Sequence, residues 1–208
     1  MLPESAYTDI QPVKVIHSYV AGITVTHSST LGIKTEGTHI HRGVGTTSSP
    51  VGNELDVGEF IQIDFDSPQV IAYFILGVLY PFGEFGDRVD ETAKVNDGMP
   101  TAVGKTQLTL SGFDPGASWV NLEIAQDGNP SLEGPRGGGV WQIINPFGAT
   151  LISTIRFTAP DVDGVSGGSD FDYTIVNVAT IPEPANIFLV GTGLLGLAAI
   201  GRKKFFKR

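Results

Sequence analysis

Aromatic side chains that are exposed can stack on sugar rings, and this chain carries a compact group of them. Tyr80, Phe82 and Phe85 lie in a loop-like stretch that directly follows a long apolar run. Trp119 and Trp141 instead alternate with apolar residues, a pattern more typical of a buried core. Tyr80, Phe82 and Phe85 are therefore the candidate ligand-binding aromatics, and the chemistry that they suggest is carbohydrate binding.

Four Asp residues, Asp161, Asp163, Asp170 and Asp172, lie close together in a Gly- and Ser-rich segment. Carboxylate oxygens are the ligands that Ca²⁺ prefers. The segment begins like an EF-hand loop, but it has Val165 at the fifth position and lacks the Glu required at the twelfth, so an EF-hand is excluded. Two interpretations stay open: a structural Ca²⁺ site of another kind, or a Gly/Asp turn that joins two strands.

A second acidic group, in the stretch PFGEFGDRVDETAK, is interpreted as a Ca²⁺ site or as a solvated loop. It consists of Glu84, Asp87, Asp90 and Glu91. These residues could supply Ca²⁺ ligands, but they fit no metal-ligand register, and a solvated loop that pairs with Arg88 and Lys94 explains them equally simply.

The motifs of common enzyme classes are missing from the sequence. There is no G-x-S-x-G nucleophile elbow and no H-E-x-x-H zinc motif, and the Gly-rich stretch GPRGGG at 134–139 does not follow a strand-to-helix pattern. A pair of carboxylates for glycoside hydrolysis needs no local motif, so it stays open. We expect a protein without catalytic residues; the alternatives are an exported polysaccharide hydrolase and a ligand-free structural spacer.

The distribution of charge separates the body of the chain from its end. The net charge of −9 over 208 residues combines a body of −14 at residues 1–184 with a tail of +5 at 202–208. An acidic body lacks the cationic contacts that binding to phosphate requires, so nucleic acid is excluded as a partner. The absence of Cys also excludes a disulfide framework and a thiolate metal site.

The C-terminal region has the composition of a membrane anchor. Residues 185–201, ANIFLVGTGLLGLAAIG, carry no charge, and as a helix they would extend about 26 Å, close to the thickness of a thin bilayer. A basic cluster follows: Arg202, Lys203, Lys204, Lys207 and Arg208. Basic residues that flank a membrane segment stay in the cytoplasm, which places the body on the far side. The alternative, a buried core helix, would need a polar face that this segment lacks.

The tripeptide Pro182-Glu183-Pro184 stands directly before the apolar segment. Tripeptide, apolar segment and basic terminus, in this order at the end of the chain, resemble the PEP-CTERM sorting signal of Gram-negative bacteria. The resemblance implies cleavage near Pro182–Pro184 by an exosortase, a membrane-embedded protease. It also implies delivery to the cell surface or to a polysaccharide-rich extracellular matrix. Export requires a signal peptide, which the first twenty residues do not form. We therefore expect the start site to lie further upstream; the alternative is that the signal has been removed.

The body shows short β-patterned runs separated by Gly, Pro, Asn and Asp. In the clearest run, Ile61, Ile63 and Phe65 share one face and Gln62 and Asp64 share the other. About eight strands are predicted, at 23–26, 60–65, 70–79, 106–111, 119–125, 140–144, 151–158 and 172–178, with long loops at 27–58, 80–104 and 126–139. The run at 70–79 is almost wholly apolar, which predicts either a strand that is buried on both faces or a buried helix. This pattern predicts an all-β sandwich of jelly-roll type.

The body also resembles a fold family. The stretches GNELD at 52–56, GEFIQIDF at 58–65 and SPQVI at 67–71 are similar in order to galactose-binding-like and discoidin-like jelly rolls, in which a structural Ca²⁺ is frequent. We therefore expect a β-sandwich domain outside the cytoplasm (1–180), a linker (181–184), a transmembrane helix (185–201) and a cytoplasmic tail (202–208). The expected function is a binding or structural role at the cell surface, with extracellular polysaccharide as a candidate partner.

Overall fold

Strands account for the architecture of the described chain. The computed structural model describes residues 23–36, 41–47, 53–84, 88–122, 139–160 and 171–181. Within these ranges eleven strands form curled antiparallel sheets, which confirms the all-β fold class and a sandwich-like architecture. In chain order the strands are β1 (Ile23–His27), β2 (Leu31–Glu36), β3 (His41–Thr46), β4 (Phe60–Gly77), β5 (Lys94–Val95), β6 (Met99–Gly104), β7 (Gln107–Ser111), β8 (Ser118–Asn121), β9 (Trp141–Ile144), β10 (Leu151–Thr158) and β11 (Thr174–Ile181).

The longest strand, β4, organises the larger sheet. Its 18 residues pair antiparallel with four strands, β9 and β10 along one side and β11 and β1 along the other. Leu151 of β10 and Ile181 of β11 both pair with Val70, so they flank the same residue from opposite sides. We therefore divide β4 into a first half at 60–65, between β1 and β10, and a second half at 70–77, between β11 and β9.

The predicted alternation in the first half of β4 is confirmed. Ile61, Ile63 and Phe65 are at most 6% exposed, whereas Gln62 and Asp64 face outward. The sequence predicts 60–65 and 70–79 as separate elements, with Ser67-Pro68 between them. The structure shows a single strand that continues through an exposed stretch at 66–68. Proline at such an irregular, outward position removes no ladder hydrogen bond that the strand needs.

The second half of β4 alternates as well, so the prediction that it is buried on both faces is wrong. Ile71, Phe74 and Leu76 are fully buried, while Val70 and Ile75 are partly exposed on the opposite face. The register of β11 shifts twice along this half, once by an extra residue on β11 and once, between Ala179 and Thr180, by an extra residue on β4. Such a β-bulge moves the inward positions from one parity of the sequence to the other.

The core fills the space between the inward face of β4 and its neighbours. Phe74 and Phe157 are fully buried and meet edge to face, with their ring centroids 5.8 Å apart. Trp141 is also fully buried, and Trp119 packs edge-on against it at 5.3 Å. Burial of one such side chain contributes about 1.5–3 kcal/mol. The separate two-stranded sheet of β6 and β7 adds Ala102 and Leu108 to the same cluster.

Two predicted loops contain strands. The stretch 27–58 includes the β2–β3 hairpin, and 80–104 includes β5 and β6. β3 is rich in glycine, which lowers β propensity and conceals the strand in the sequence. The structure explains one of these glycines: a Cβ atom on Gly45 would lie 2.3 Å from the backbone oxygen of Asn53. Only glycine allows that segment to approach closely enough for Thr46 N–H to donate to Glu54 O at 3.0 Å.

The structure describes the chain as far as Ile181, the last residue of β11. Within the described ranges, no helix combines the length and the apolar composition needed to cross a membrane. The segment 185–201 lies outside those ranges, and its assignment stays a prediction.

Candidate functional site

The predicted aromatic group does not form an exposed platform at Tyr80. This side chain is only 3% exposed, and its ring packs over Gly139, where an added Cβ would lie 2.5 Å from Tyr80 Cε1. The backbone of Tyr80 is held by Glu91: the Tyr80 N–H donates to the Glu91 carboxylate, and the Glu91 N–H donates to Tyr80 O. The prediction that Tyr80 stacks on a ligand is therefore wrong, because its ring belongs to the interior.

Phe82 is the member of the group that the structure leaves open to solvent, with 67% of its surface exposed. Its backbone N–H donates to Asp90 Oδ1 at 2.9 Å, which fixes the turn that presents it. Phe85 lies outside the described residues. Phe82 alone is a small apolar contact, and it stays a candidate for binding.

The acidic residues around this turn act on the protein itself. Asp90 and Glu91 accept backbone N–H groups of the same loop, and Glu84 Oε1 lies 3.1 Å from Lys105 Nζ. Glu84 thus pairs with Lys105, a partner that the sequence did not suggest. These contacts explain Glu84, Asp90 and Glu91 as part of the loop, whereas Asp87 lies outside the described residues, and calcium at this loop stays a prediction.

The predicted calcium ligands fall mostly outside the described residues. Asp161, Asp163 and Asp170 lie there, whereas Asp172 is described and is 6% exposed. In the described part of the chain, no three His, Cys, Asp or Glu side chains are grouped so that they could hold a metal ion. Calcium therefore stays a prediction.

The sorting and anchoring residues also lie outside the described ranges. They are Pro182, Glu183, Pro184, Arg202, Lys203, Lys204, Lys207 and Arg208. The described chain ends one residue before this group, and the motif stays a prediction from the sequence.

An ordered polar network lies on the outward side of the first half of β4. Strand pairing places Thr24 and Thr154 on either side of Asp64, and Thr26 and Arg156 on either side of Gln62. Phe60 begins the same outward row. We call this surface the polar face; it consists of Thr24, Thr26, Phe60, Gln62, Asp64, Thr154 and Arg156. Neighbouring rows of such a face are about 6.6–6.8 Å apart along the strands, and neighbouring strands about 4.8 Å apart.

Asp64 is the centre of the hydrogen bonds on the polar face. Gln62 Nε2 donates to both of its carboxylate oxygens, at 3.1 and 3.0 Å, and Thr154 Oγ1 donates to Oδ1 at 2.7 Å. The bonds from Gln62 and then from Thr154 hold the pKa of Asp64 below its ordinary value of 3.8, against a smaller opposing effect of partial burial. Asp64 is therefore a fixed negative charge at neutral pH.

Arg156 provides the positive charge and a planar surface. Its guanidinium carbon lies 4.0 Å from the centroid of the Phe60 ring, and its Nη1 reaches Gln62 Oε1 at 3.5 Å. A cation placed in this way over an aromatic ring gains about 0.5–1 kcal/mol at an exposed site. The side chain of Arg156 is thereby directed across the strands, and its planar group lies beside the Gln62 amide.

Asn96 fixes the strand that carries Thr154 and Arg156. Its side chain donates to Thr154 O at 3.2 Å and accepts the Arg156 N–H at 2.9 Å, and its own N–H donates to Arg156 O at 2.9 Å. β5 pairs with β10 at only two positions, Phe157 and Thr158. The Asn96 amide extends that short pairing by imitating a further strand residue. Its φ of 50° is a left-handed conformation that Asn adopts more readily than most residues.

The arrangement is suited to polar recognition. The face offers hydroxyl, amide, carboxylate and guanidinium groups, all held on paired strands rather than on loops. Such groups can donate to and accept from the closely spaced hydroxyls of a sugar chain. Sequence analysis placed Gln62 and Asp64 on one face but missed Thr154 and Arg156. The signal that could have found them is the alternation in LISTIRFT, once the register of β10 against β4 is known.

A second acidic residue behaves in the opposite way. Asp56 is 4% exposed, and burial raises the pKa of its carboxyl; the Val57 N–H bond lowers it, and the charge of Glu59 raises it. The residue lies in a turn where Glu59 Oε2 accepts the Asp56 N–H at 2.9 Å and Asp56 Oδ1 accepts the Val57 N–H at 2.6 Å. These contacts explain Asp56 as part of the fold.

Comparisons with known proteins found no similarity: no family model matches the chain, and no curated protein or solved structure is similar to it.

Proposed function

We propose that this chain is an exported protein of the cell surface or extracellular matrix of a Gram-negative bacterium. Its body is a jelly-roll-like binding domain without catalytic residues, and one transmembrane helix at 185–201 follows it. The order of Pro182–Pro184, the apolar segment and the basic terminus supports delivery by a PEP-CTERM signal and cleavage by an exosortase. The acidic body and the basic end support an orientation with the C-terminus in the cytoplasm.

The ligand that we propose is extracellular polysaccharide, and the polar face carries this proposal. Asp64, Gln62, Thr154 and Arg156 are joined by hydrogen bonds before any ligand arrives. Side chains that are already ordered lose less entropy when a ligand binds, which favours recognition. Exposed hydrogen bonds and ion pairs contribute only about 0–1 kcal/mol each to stability, so folding alone does not account for such a network.

Two carboxyls of the described chain have a shifted pKa, and neither has the properties of a glycosidase acid. A glycosidase requires a general acid whose pKa is raised. The carboxylate that the polar face orders, Asp64, has a lowered pKa, and Asp56, whose pKa is raised, is buried in a turn. The exported hydrolase stays the alternative, and it would need a general acid other than these two carboxyls.

A glycan array with bacterial exopolysaccharides, run with and without Ca²⁺, tests the proposed ligand class. We expect Gln62→Ala and Arg156→Ala to weaken binding about 2- to 10-fold each, the effect of one lost hydrogen bond. Gln107→Ala is the matched control, because Gln107 is exposed on β7, in the other sheet. A loss caused by Phe82→Ala, with the two polar-face variants unchanged, would place the ligand at the loop instead. The absence of binding to any glycan would favour the ligand-free spacer.

Membrane fractionation tests the delivery signal separately. The chain should sediment with membranes when residues 182–208 are present and should become soluble when they are deleted. In cells that contain an exosortase, the mature body should be shortened near Pro182–Pro184, as mass spectrometry of the C-terminal peptide would reveal. Equal solubility with and without the tail would contradict the anchor.

A further inference from the structure

An apolar row crosses the outward side of β4 at the start of its second half. Leu151, Val70 and Ile181 lie on three adjacent strands, paired on either side of Val70. Cross-strand partners in a sheet share a face, so the three side chains are neighbours. Leu151 is 61% exposed and Ile181 is 49% exposed. We call these three residues the apolar row.

The grouping of these residues distinguishes them from the other exposed apolar side chains. Ile33, Phe82 and Val103 are also exposed, but each belongs to a different strand or turn. Single exposed apolar residues are ordinary on protein surfaces, whereas interaction sites are marked by apolar residues that lie side by side in a larger patch. Leu151 and Ile181 are contiguous through Val70, and they lie beside two further outward apolar residues of the second half, Tyr73 and Ile75.

The apolar row lies where the chain leaves the domain. Ile181 is the last residue of β11, and only Pro182, Glu183 and Pro184 separate it from the apolar segment that begins at Ala185. Four residue steps extend at most about 14 Å. Leu151 is two strand spacings from Ile181, or about 10 Å. If Ala185 enters a bilayer at the edge of the hydrocarbon core, Ile181 therefore lies inside the interfacial region or at most about 6–9 Å beyond it, because that region adds about 5–8 Å to each side of the core.

We propose that the apolar row rests on the lipid surface while the chain is anchored, so that this part of the sheet faces the membrane. The proposal depends on the proposed function, because it needs the tail to be inserted. The short linker brings the row to the bilayer, and the exposed apolar side chains match the chemistry found at the interface. The contact orients the domain during its membrane-bound stage and is lost after cleavage beside Pro182–Pro184.

The experiment uses the absence of Cys from the chain, which makes single-cysteine labelling specific. The full-length variants Leu151→Cys and Val103→Cys are labelled with a polarity-sensitive fluorophore. They are then reconstituted into phosphatidylethanolamine/phosphatidylglycerol vesicles that contain a headgroup-level lipid quencher. Val103 is the matched control, because it is apolar and 40% exposed and lies on β6 in the other sheet. Thermal unfolding confirms that both labelled variants are folded.

The expected result is a loss of fluorescence at position 151 that depends on the quencher, with little or no loss at position 103. Equal quenching at both positions in protein that floats with the vesicles would overturn the orientation while leaving the anchor intact. Failure of the chain to float with vesicles would overturn both the anchor and the orientation. A blue shift of the fluorescence at position 151 in the absence of vesicles would show that protein covers the apolar row. If the shift grows with protein concentration, the cover is a second copy of the chain; if it does not, the cover is another segment of the same chain. Either of these shifts would overturn the lipid contact.

Discussion

The two halves of β4 share a backbone plan but differ on their outward sides. Both halves lie between two antiparallel neighbours, and both direct fully or largely buried side chains inward, such as Ile63 and Phe74. Outward, the first half carries the hydrogen-bonded polar face, and the second half begins with the apolar row. The inward side is set by the core in both halves, so the outward side is where function can differ.

The two outward surfaces also contribute little to the stability of the fold, for different reasons. The polar face holds its side chains in defined positions, which costs conformational entropy and yields little stability at an exposed site. The apolar row leaves Leu151 and Ile181 in contact with water, which also yields no stability. Neither surface gains much stability from its outward side chains, and our proposals assign one to a polar ligand and the other to lipid.

The largest expected effect tests whether the inward and outward sides differ as described. Phe157 and Arg156 are adjacent in β10 but point in opposite directions, and Phe157 is fully buried. Phe157→Ala should lower the free energy of unfolding by about 3–5 kcal/mol, because it leaves a cavity beside Phe74. Arg156→Ala should change it by at most about 1 kcal/mol, the value of its contact with Phe60. Urea denaturation measures both values, and similar losses would mean that the polar face belongs to the core.

An intermediate effect is expected at Asn96, which supports the polar face from the neighbouring turn. Asn96→Gly keeps the left-handed backbone but removes the side-chain bonds to Thr154 O and the Arg156 N–H, so it should cost about 1–3 kcal/mol. Asn96→Ala should cost about 1–2 kcal/mol more, because a Cβ at positive φ is strained unless the side chain compensates.

Asn145 provides the matched control on the side of the second half. It also has a positive φ, of 52°, and its backbone N–H donates to Ala72 O, a bond that survives replacement by glycine. Asn145→Gly should therefore cost less than about 1 kcal/mol. A cost as large as that of Asn96→Gly would show that the side-chain bonds of Asn96 are not what stabilises β10.

Local pattern predicted the strands that alternate strongly and missed those that do not. The bounds of β10 were predicted at 151–158, and the inward residues Ile61, Ile63 and Phe65 were identified correctly. β2 and β3 were missed because glycines weaken their pattern, and the continuity of β4 was missed because Ser67-Pro68 looks like a break. Periodicity reports which side of a strand is apolar, but it does not report which strands are neighbours.

The same limit applies to the candidate site. Gln62 and Asp64 were placed on one face from the sequence, but their partner Thr154 is 90 residues from Asp64 and becomes visible only through the register of β10. Tyr80 was misplaced for a related reason. Its position after an apolar run suggests an exposed loop, whereas the carboxylate that binds its backbone belongs to Glu91, in a segment that folds back over it. Contacts of this kind arise from tertiary structure and leave no local signal.

The smallest expected effect concerns the two carboxyls with opposite shifts. The folded-state pKa of Asp64 is lowered from 3.8, so its contribution to stability is present above pH 3.8 and is lost as the pH falls through its folded-state pKa. The pKa of Asp56 is raised, so the folded protein gains stability from protonated Asp56 at low pH and loses it as the pH rises through the raised value. Asp64→Asn should therefore destabilise the protein more at neutral pH than near pH 3. Asp56→Asn should have the opposite trend, because the uncharged amide avoids the loss of stability that the original protein suffers as the pH rises above 3.8. The free energy of unfolding of each variant, relative to the original protein, is measured between pH 3 and pH 7. If this difference changes with pH in the same direction for both variants, the distinction between the exposed Asp64 carboxylate and the buried Asp56 carboxyl is contradicted.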